Sequence, residues 1–264
     1  MMPRGPFRQL VVLGESTVQG GGWVASDKER YADILWRLVA EAQEQPLGYR
    51  NARLGASVIS PTSPGYAASA KPSAAEQLDA EVLAAAPDLL VIAYGLNDMR
   101  AGMAVDDFRA ELVKLLSRVQ ARLNPAIVLV NVYYMTAYDH FPPFDRGSPA
   151  AALAYNRMLA ELARERGLIY ADVHGGAVDC PHVLHLDTVH ANKLGNLLIA
   201  HRVFEAIVRG CPGLAANMNR RDETTEWTRL IRPRLATGRE QSEKSRPEGP
   251  AGDWRRQRKP GDPT

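Results

Sequence analysis

Three short runs, residues 9–14 (QLVVLG), 88–94 (DLLVIAY) and 127–133 (IVLVNVY), are apolar almost without interruption. A strand with one wet face alternates apolar and polar residues. A run that stays apolar is buried on both faces, as in a parallel sheet covered on two sides. Between these runs the pattern changes to a helical one. Ile34, Leu35, Leu38 and Val39 fall on one face within residues 30–43, and Phe108, Leu112, Leu115, Leu116, Val119 and Leu123 recur at the same spacing. Ser73-Ala-Ala-Glu76 has capping-box spacing and opens a helix running to about residue 85. Ser148 followed by Pro149 starts another, which Gly167 stops after Arg166. A weaker strand is read at 49–54, the fifth strand at 168–173, and a last helix at 191–208.

The order is therefore strictly alternating, beginning with a strand and showing no hairpin signal. This predicts a three-layer α/β/α domain around a five-stranded parallel sheet. Right-handed crossovers make the flavodoxin-like strand order 2-1-3-4-5 the expected topology. The chain has 264 residues, 45% of them hydrophobic, enough for one domain with a substantial core. That domain is read over residues 1–211. Residues 212–264 read as a basic, disordered tail: from residue 220 onward 12 Lys and Arg face 8 Asp and Glu, Pro and Gly recur, and apolar residues are sparse.

A formal net charge of +2 argues against nucleic acid as a partner. No run approaches the ~18 apolar residues of a membrane span, and the start lacks the apolar core of about 7–15 residues of a secretory leader. Two cysteines, Cys180 and Cys211, make no disulfide framework. The expectation is a soluble, cytoplasmic protein without a membrane partner.

In a parallel sheet all loops that follow strands emerge at one edge, and ligands bind there. After the first strand comes Gly14-Glu15-Ser16, after the second Gly55, after the third Gly95-Leu96-Asn97-Asp98, and after the fifth a long loop reaching Asp187-Thr188-Val189-His190. In the order 2-1-3, Ser16 stands between Gly55 and Asn97. The fifth strand is three places from the first, or roughly 14 Å. The stretch from Val173 to His190 spans that distance easily.

A serine hydroxyl is a weak nucleophile until a base takes its proton. His190 is suited to that task, and Asp187, three residues earlier, can hold its other ring nitrogen and stabilise the imidazolium. Acyl transfer also places negative charge on a carbonyl oxygen. The backbone N–H of Ser16, the backbone N–H of Gly55 and the side-chain amide of Asn97 are the candidate donors for it. No metal or other cofactor is called for.

These four blocks, in this order and over roughly residues 8–205, resemble the signature of the SGNH (GDSL-like) hydrolase superfamily. Gly14-Glu15-Ser16 matches the block around the nucleophile, with Glu15 where the family usually has Asp. Gly55 stands in the position of the second block's glycine. Gly95-Leu96-Asn97-Asp98 resembles the third block, and Asp187-x-x-His190, followed by Asn192 and Gly195, the last. The resemblance implies a flavodoxin-like fold and a Ser16 nucleophile, with His190 as base, Asp187 as its orienter and Ser16, Gly55 and Asn97 as oxyanion hole. It implies a small-molecule or carbohydrate ester as substrate. A short acyl group such as acetyl is the preferred reading, because no extended apolar lid is apparent. Arg100, beside the oxyanion block, is read as a contact for an anionic substrate. Tyr66 and Tyr134, on the loops after the second and fourth strands, are read as further substrate contacts.

Two other readings use the same residues. His182, His185, Asp187 and His190 have spacing that could hold a divalent metal, which would make the chain a metal-dependent hydrolase. The same fold could also serve as a non-catalytic carbohydrate-binding module.

Overall fold

The computed structural model describes residues 5–20 and 24–216. The chain divides into two units, Met1–Asn217 and Met218–Thr264. The second, with the basic segment expected from the sequence, lies outside the described residues.

Five strands, β1 (Gln9–Gly14), β2 (Gly48–Arg53), β3 (Leu89–Ala93), β4 (Ala126–Val130) and β5 (Ile169–Ala171), form one sheet in the order β2-β1-β3-β4-β5. Every pairing is parallel. The helices are α1 (Ser16–Gln19), α2 (Tyr31–Gln43), α3 (Tyr66–Ser69), α4 (Ala74–Gln77), α5 (Leu96–Arg100), α6 (Val105–Gln120), α7 (Pro149–Arg166) and α8 (Lys193–Gly210). α2 packs against α8, and α6 against α7. Right-handed crossovers place these pairs on opposite faces of the sheet, giving the expected three layers.

The central strands are apolar because both faces are covered. Leu10, Val11, Val12 and Leu13 of β1 have no exposed surface, and every residue of β3 and β4 is buried. Each such Val, Leu or Ile contributes about 1.5–3 kcal/mol of burial. β2 is the sheet's edge, and its sequence GYRNAR buries only Ala52. The Ser73–Glu76 capping box forms in both directions. The helix it opens widens after Gln77 into a π-type winding over Leu78–Leu83.

β4 and β5 end earlier than their apolar runs. Both oxygen and nitrogen of the Asn156 side chain on α7 bond Val132, standing in for a neighbouring strand. The Asn131 side-chain oxygen accepts from Val173 N and His174 N, drawing the chain out of β5. At the other end of the unit the fold runs on past Cys211. A 3-10 turn, Pro212–Ala215, packs on α2 and α8 and buries Leu214. Among the described residues no helix is long and apolar enough to cross a membrane.

The register aligns the strand ends. Gly14 pairs with Arg53 on one side and with Ala93 on the other. Three strands therefore end at one level, and Ser16, Gly55 and Asn97 lie two to four residues beyond that line.

Candidate active site

The chain leaves β1 through a sharp turn. Glu15 is extended (φ −94°, ψ −152°), and the helical turn of α1 starts at Ser16. Gly14 permits this, because a Cβ there would collide with the Val18 side chain and lie 3.0 Å from the carbonyl oxygen of Ala93. Ser16 is half-buried at the first helical position. Its backbone N–H belongs to the group that a helix start leaves without an intrahelical acceptor.

Hydrogen bonds tie this turn to the loops on either side and tie those two loops to each other. Leu54 N donates to Gly14 O at 3.0 Å, which holds the Gly55 segment against β1. Asn97 Nδ2 donates to Ser57 O at 3.0 Å, leaving its second amide hydrogen uncommitted. The Glu15 carboxylate accepts from Leu96 N (3.2 Å) and Asn97 N (3.3 Å). Asp98 accepts from Ile59 N at 3.1 and 3.2 Å through its two oxygens. A Cβ on Gly55 would point at the Gln19 side-chain amide oxygen, 2.5 Å away. The glycine therefore makes room for α1 as well as for anything approaching its N–H. Gly95 takes φ +124°, a conformation costly for any side chain, and packs against Phe108 and Tyr155.

Glu15 and Asp98 are both fully buried carboxylates. Burial and then the Asp98 charge push Glu15 well above the usual range, against the two N–H donors and Arg100. Burial pushes Asp98 up to about 7. The folded state thus holds the Asp98 proton more tightly than the unfolded chain does. Its stabilising contribution is complete below about pH 4 and is lost as the pH rises through about 7. Asp98→Asn keeps an acceptor for Ile59 and should gain stability relative to wild type between those limits, by about 1.4 kcal/mol for each pH unit crossed. Urea unfolding of both proteins at pH 5 and pH 8 checks this; an equal difference at the two values contradicts it.

On the other side of the site, the loop after β5 folds back on itself through a bridge between Leu184 and Ala191. Asn192 caps α8 with its oxygen and reaches His182 O and Leu184 O with its nitrogen. Within the loop, Asp187 Oδ1 accepts from Val189 N (3.1 Å) and His190 N (2.9 Å), and Oδ2 meets His190 Nδ1 at 2.6 Å. Partial burial raises the Asp187 carboxyl, but these bonds outweigh it and the net shift is downward. Thr188 takes φ +62°, rare for a β-branched residue, and its carbonyl accepts from Thr136 N at 3.0 Å. That strained residue turns the chain so that Asp187 and His190 meet.

With a carboxylate on Nδ1, the network assigns the ring proton there and leaves Nε2 as acceptor. His190 Nε2 is buried and has no hydrogen-bond partner among the described residues. The Ser16 hydroxyl does not bond it in this structure. Such bonds are often long until substrate closes the site. A cavity with room for about one water lies behind Ser16, between Glu15, Thr17, Tyr31 and Tyr133. It is too small for an acyl group.

The structure therefore brings Asp187 and His190 into contact and fixes Ser16, Gly55 and Asn97 on neighbouring strand ends. Arg100 is buried at the end of α5. Tyr134 is half-buried with its ring edge-on to His174. The Tyr66 hydroxyl turns away to Glu76 Oε1 at 2.9 Å. His182 is exposed. Among the described residues no three His, Cys, Asp or Glu side chains are gathered as a metal would require, so nothing in the geometry favours the metal reading. Sequence reasoning did not single out Asn131, Asn156 or Thr136, which hold the loops after β4 and β5. The signal available was an Asn inside an apolar strand run.

The profile of the GDSL-like Lipase/Acylhydrolase family matches residues 12–198. No curated protein matches the chain. Its structure resembles that of TesA (TM-score 0.59, 17% identity, covering 77% of this chain and 99% of that one). It resembles a lipase/acylhydrolase from Enterococcus faecalis to the same degree (TM-score 0.59, 18% identity, 76% and 95%). A mutant of Axe2, an acetyl-xylooligosaccharide esterase from Geobacillus, is also similar (TM-score 0.57, 19% identity, 78% and 96%). At these identities the likeness is one of fold.

Proposed function

Because the chain belongs to the GDSL-like Lipase/Acylhydrolase family and is accordingly an ester hydrolase, we propose that it cleaves a short-chain carboxylic ester with Ser16 as nucleophile, His190 as base and Asp187 as its orienter. The observation that carries this reading is the His190 ring, held at Nδ1 by Asp187 at 2.6 Å with Nε2 buried and, among the described residues, without a hydrogen-bond partner. A general base needs that arrangement.

Ser16 Oγ attacks the ester carbonyl while His190 Nε2 takes its proton. The tetrahedral oxyanion receives hydrogen bonds from Ser16 N–H, Gly55 N–H and Asn97 Nδ2, each donor worth about 3–4 kcal/mol in the transition state. Collapse breaks the bond to the alcohol, which leaves with the proton from His190. Water then attacks the acyl-Ser16 ester, giving its proton to His190. The acid departs and Ser16 recovers its hydrogen. Asp187 stabilises the imidazolium in both halves without taking a proton.

A short acyl group, acetyl on a sugar or a small alcohol, fits a site with no apolar lid among the described residues, and the likeness to Axe2 supports the same choice. The test is cleavage of p-nitrophenyl acetate, butyrate and octanoate, with and without a chelator. The expected order is acetate first and octanoate last, with no chelator effect. A rate abolished by chelator would replace this mechanism with a metal-dependent one.

Glu15 acts here as a positioning residue, holding the Asn97 backbone against the Ser16 turn. Glu15→Gln puts an amide N–H2 against a backbone N–H and should lower kcat by about 10–100-fold with little change in KM. Glu15→Asp, which keeps both acceptors, should retain most of the activity. Equal losses in the two variants would rule out this role.

A further inference from the structure

Arg100 is a buried charged group near this site whose situation the mechanism leaves unexplained. It is only 5% exposed, yet its Nε and Nη2 are buried without a hydrogen-bond partner among the described residues. Buried guanidinium groups are ordinarily paired, since desolvating the charge is costly. The placement is fixed by the fold. Arg146 N donates to Arg100 O at 2.9 Å, and the stem runs so close to Gly147 that a Cβ there would lie 3.1 Å from Arg100 Cγ. The loop after β4 thus closes over the side chain.

The titratable groups in electrostatic range of it are Glu15, the Tyr133 phenol, Asp187 and Asp139, none of them hydrogen-bonded to it among the described residues. None forms an ion pair with it among the described residues. Glu15 and Asp187 already accept from other donors at both oxygens. The Nε and Nη2 donors are therefore uncommitted among the described residues, with Glu15 of the Ser16 turn and Asp187 of the His190 loop in electrostatic range. Asn97 and Arg100 are three residues apart on α5 and so share a helix face. A molecule whose carbonyl oxygen rests on Asn97 extends naturally toward Arg100. The planar fork of Arg matches a carboxylate or phosphate through two parallel bonds.

We propose that Arg100 anchors an anion subsite beside the ester-cleaving centre, so that the preferred substrate is an ester bearing a carboxylate or phosphate a few bonds from its reacting carbonyl. The proposal rests on the ester-hydrolase reading above and adds the charge class of the substrate to it. A neutral acceptor such as a sugar hydroxyl could meet the same donors, but it would bring no charge to compensate the buried cation.

The test compares two pairs of esters, each differing only in charge. One is mono-4-nitrophenyl glutarate against its methyl ester, with the anion on the acyl side. The other is 4-acetoxybenzoate against its methyl ester, with the anion on the alcohol side. In at least one pair wild type should favour the charged member by about tenfold or more in kcat/KM, mainly through KM. Arg100→Met should abolish that preference. Arg100→Lys, which keeps the charge without the fork, should retain part of it, and this variant carries the test if the methionine variant does not fold. Cleavage of all four esters without a charge preference, or a preference that survives in Arg100→Met, would overturn the subsite and leave the hydrolase reading standing. Failure of wild type to cleave any of the four would overturn both.

Discussion

Ser16→Ala lowers kcat for p-nitrophenyl acetate by about 10⁴- to 10⁶-fold, the loss found when a nucleophile that works as a unit with its base is removed. It leaves the unfolding midpoint within about 2 °C of wild type. The two halves of this expectation have separate causes. The hydroxyl is half-buried and makes no hydrogen bond among the described residues, so the fold loses no contact with it. The chemistry loses the atom that bonds to the acyl group, and water cannot occupy the same constrained position as effectively. His190→Ala should match the loss in rate, because Ser16 without a base is nearly as inert as alanine. A double variant should be little slower than either single one. An additive double variant would mean that the two residues do not act as a unit.

Asp187→Asn lowers kcat by about 10⁴-fold, for a reason that can be followed atom by atom. The amide oxygen can keep accepting from Val189 N and His190 N, so the loop is retained. The amide nitrogen then faces His190 Nδ1, where Oδ2 now lies at 2.6 Å. As a donor it forces Nδ1 to be the acceptor and moves the ring proton to Nε2. The nitrogen that should take the Ser16 proton is then already protonated. Raising the pH restores little, since the neutral ring is held in the wrong tautomer. A variant with near-normal kcat would show that Asp187 only shapes the loop.

The fold was legible where burial is two-sided. β1, β3 and β4 announce themselves as continuous apolar runs because nothing polar can point out of a sheet covered on both faces. β2, with GYRNAR, has no such signature and was readable only from its place between two helical patterns. Strand ends were less legible. The run 127–133 stays apolar after the sheet has stopped, because Asn156 serves Val132 in place of a strand neighbour. That substitution comes from a residue 24 positions away and leaves no local pattern.

The candidate site was legible through topology. Once the strand order is fixed, Ser16, Gly55 and Asn97 must emerge side by side, whatever their neighbours. The separation of Asp187 and His190 by three residues fits a single turn, and the structure adds what spacing alone does not contain, the left-handed Thr188 that makes the turn. The surroundings were not legible. Tyr66 lies on an active-edge loop, but its hydroxyl bonds the Glu76 capping box, a choice decided by side-chain packing. The sequence singles out Arg100 by its place beside Asn97 but carries no sign of its burial, which the closing loop around Gly147 produces.

Reaction with a fluorophosphonate, followed by peptide mass analysis, tests the serine mechanism most directly. The expected result is one phosphonyl adduct per chain, carried by the peptide that contains Ser16, formed slowly or not at all in His190→Ala and unaffected by chelator. Ester cleavage by a protein that takes up no label, or whose label lies on another residue, would contradict that mechanism.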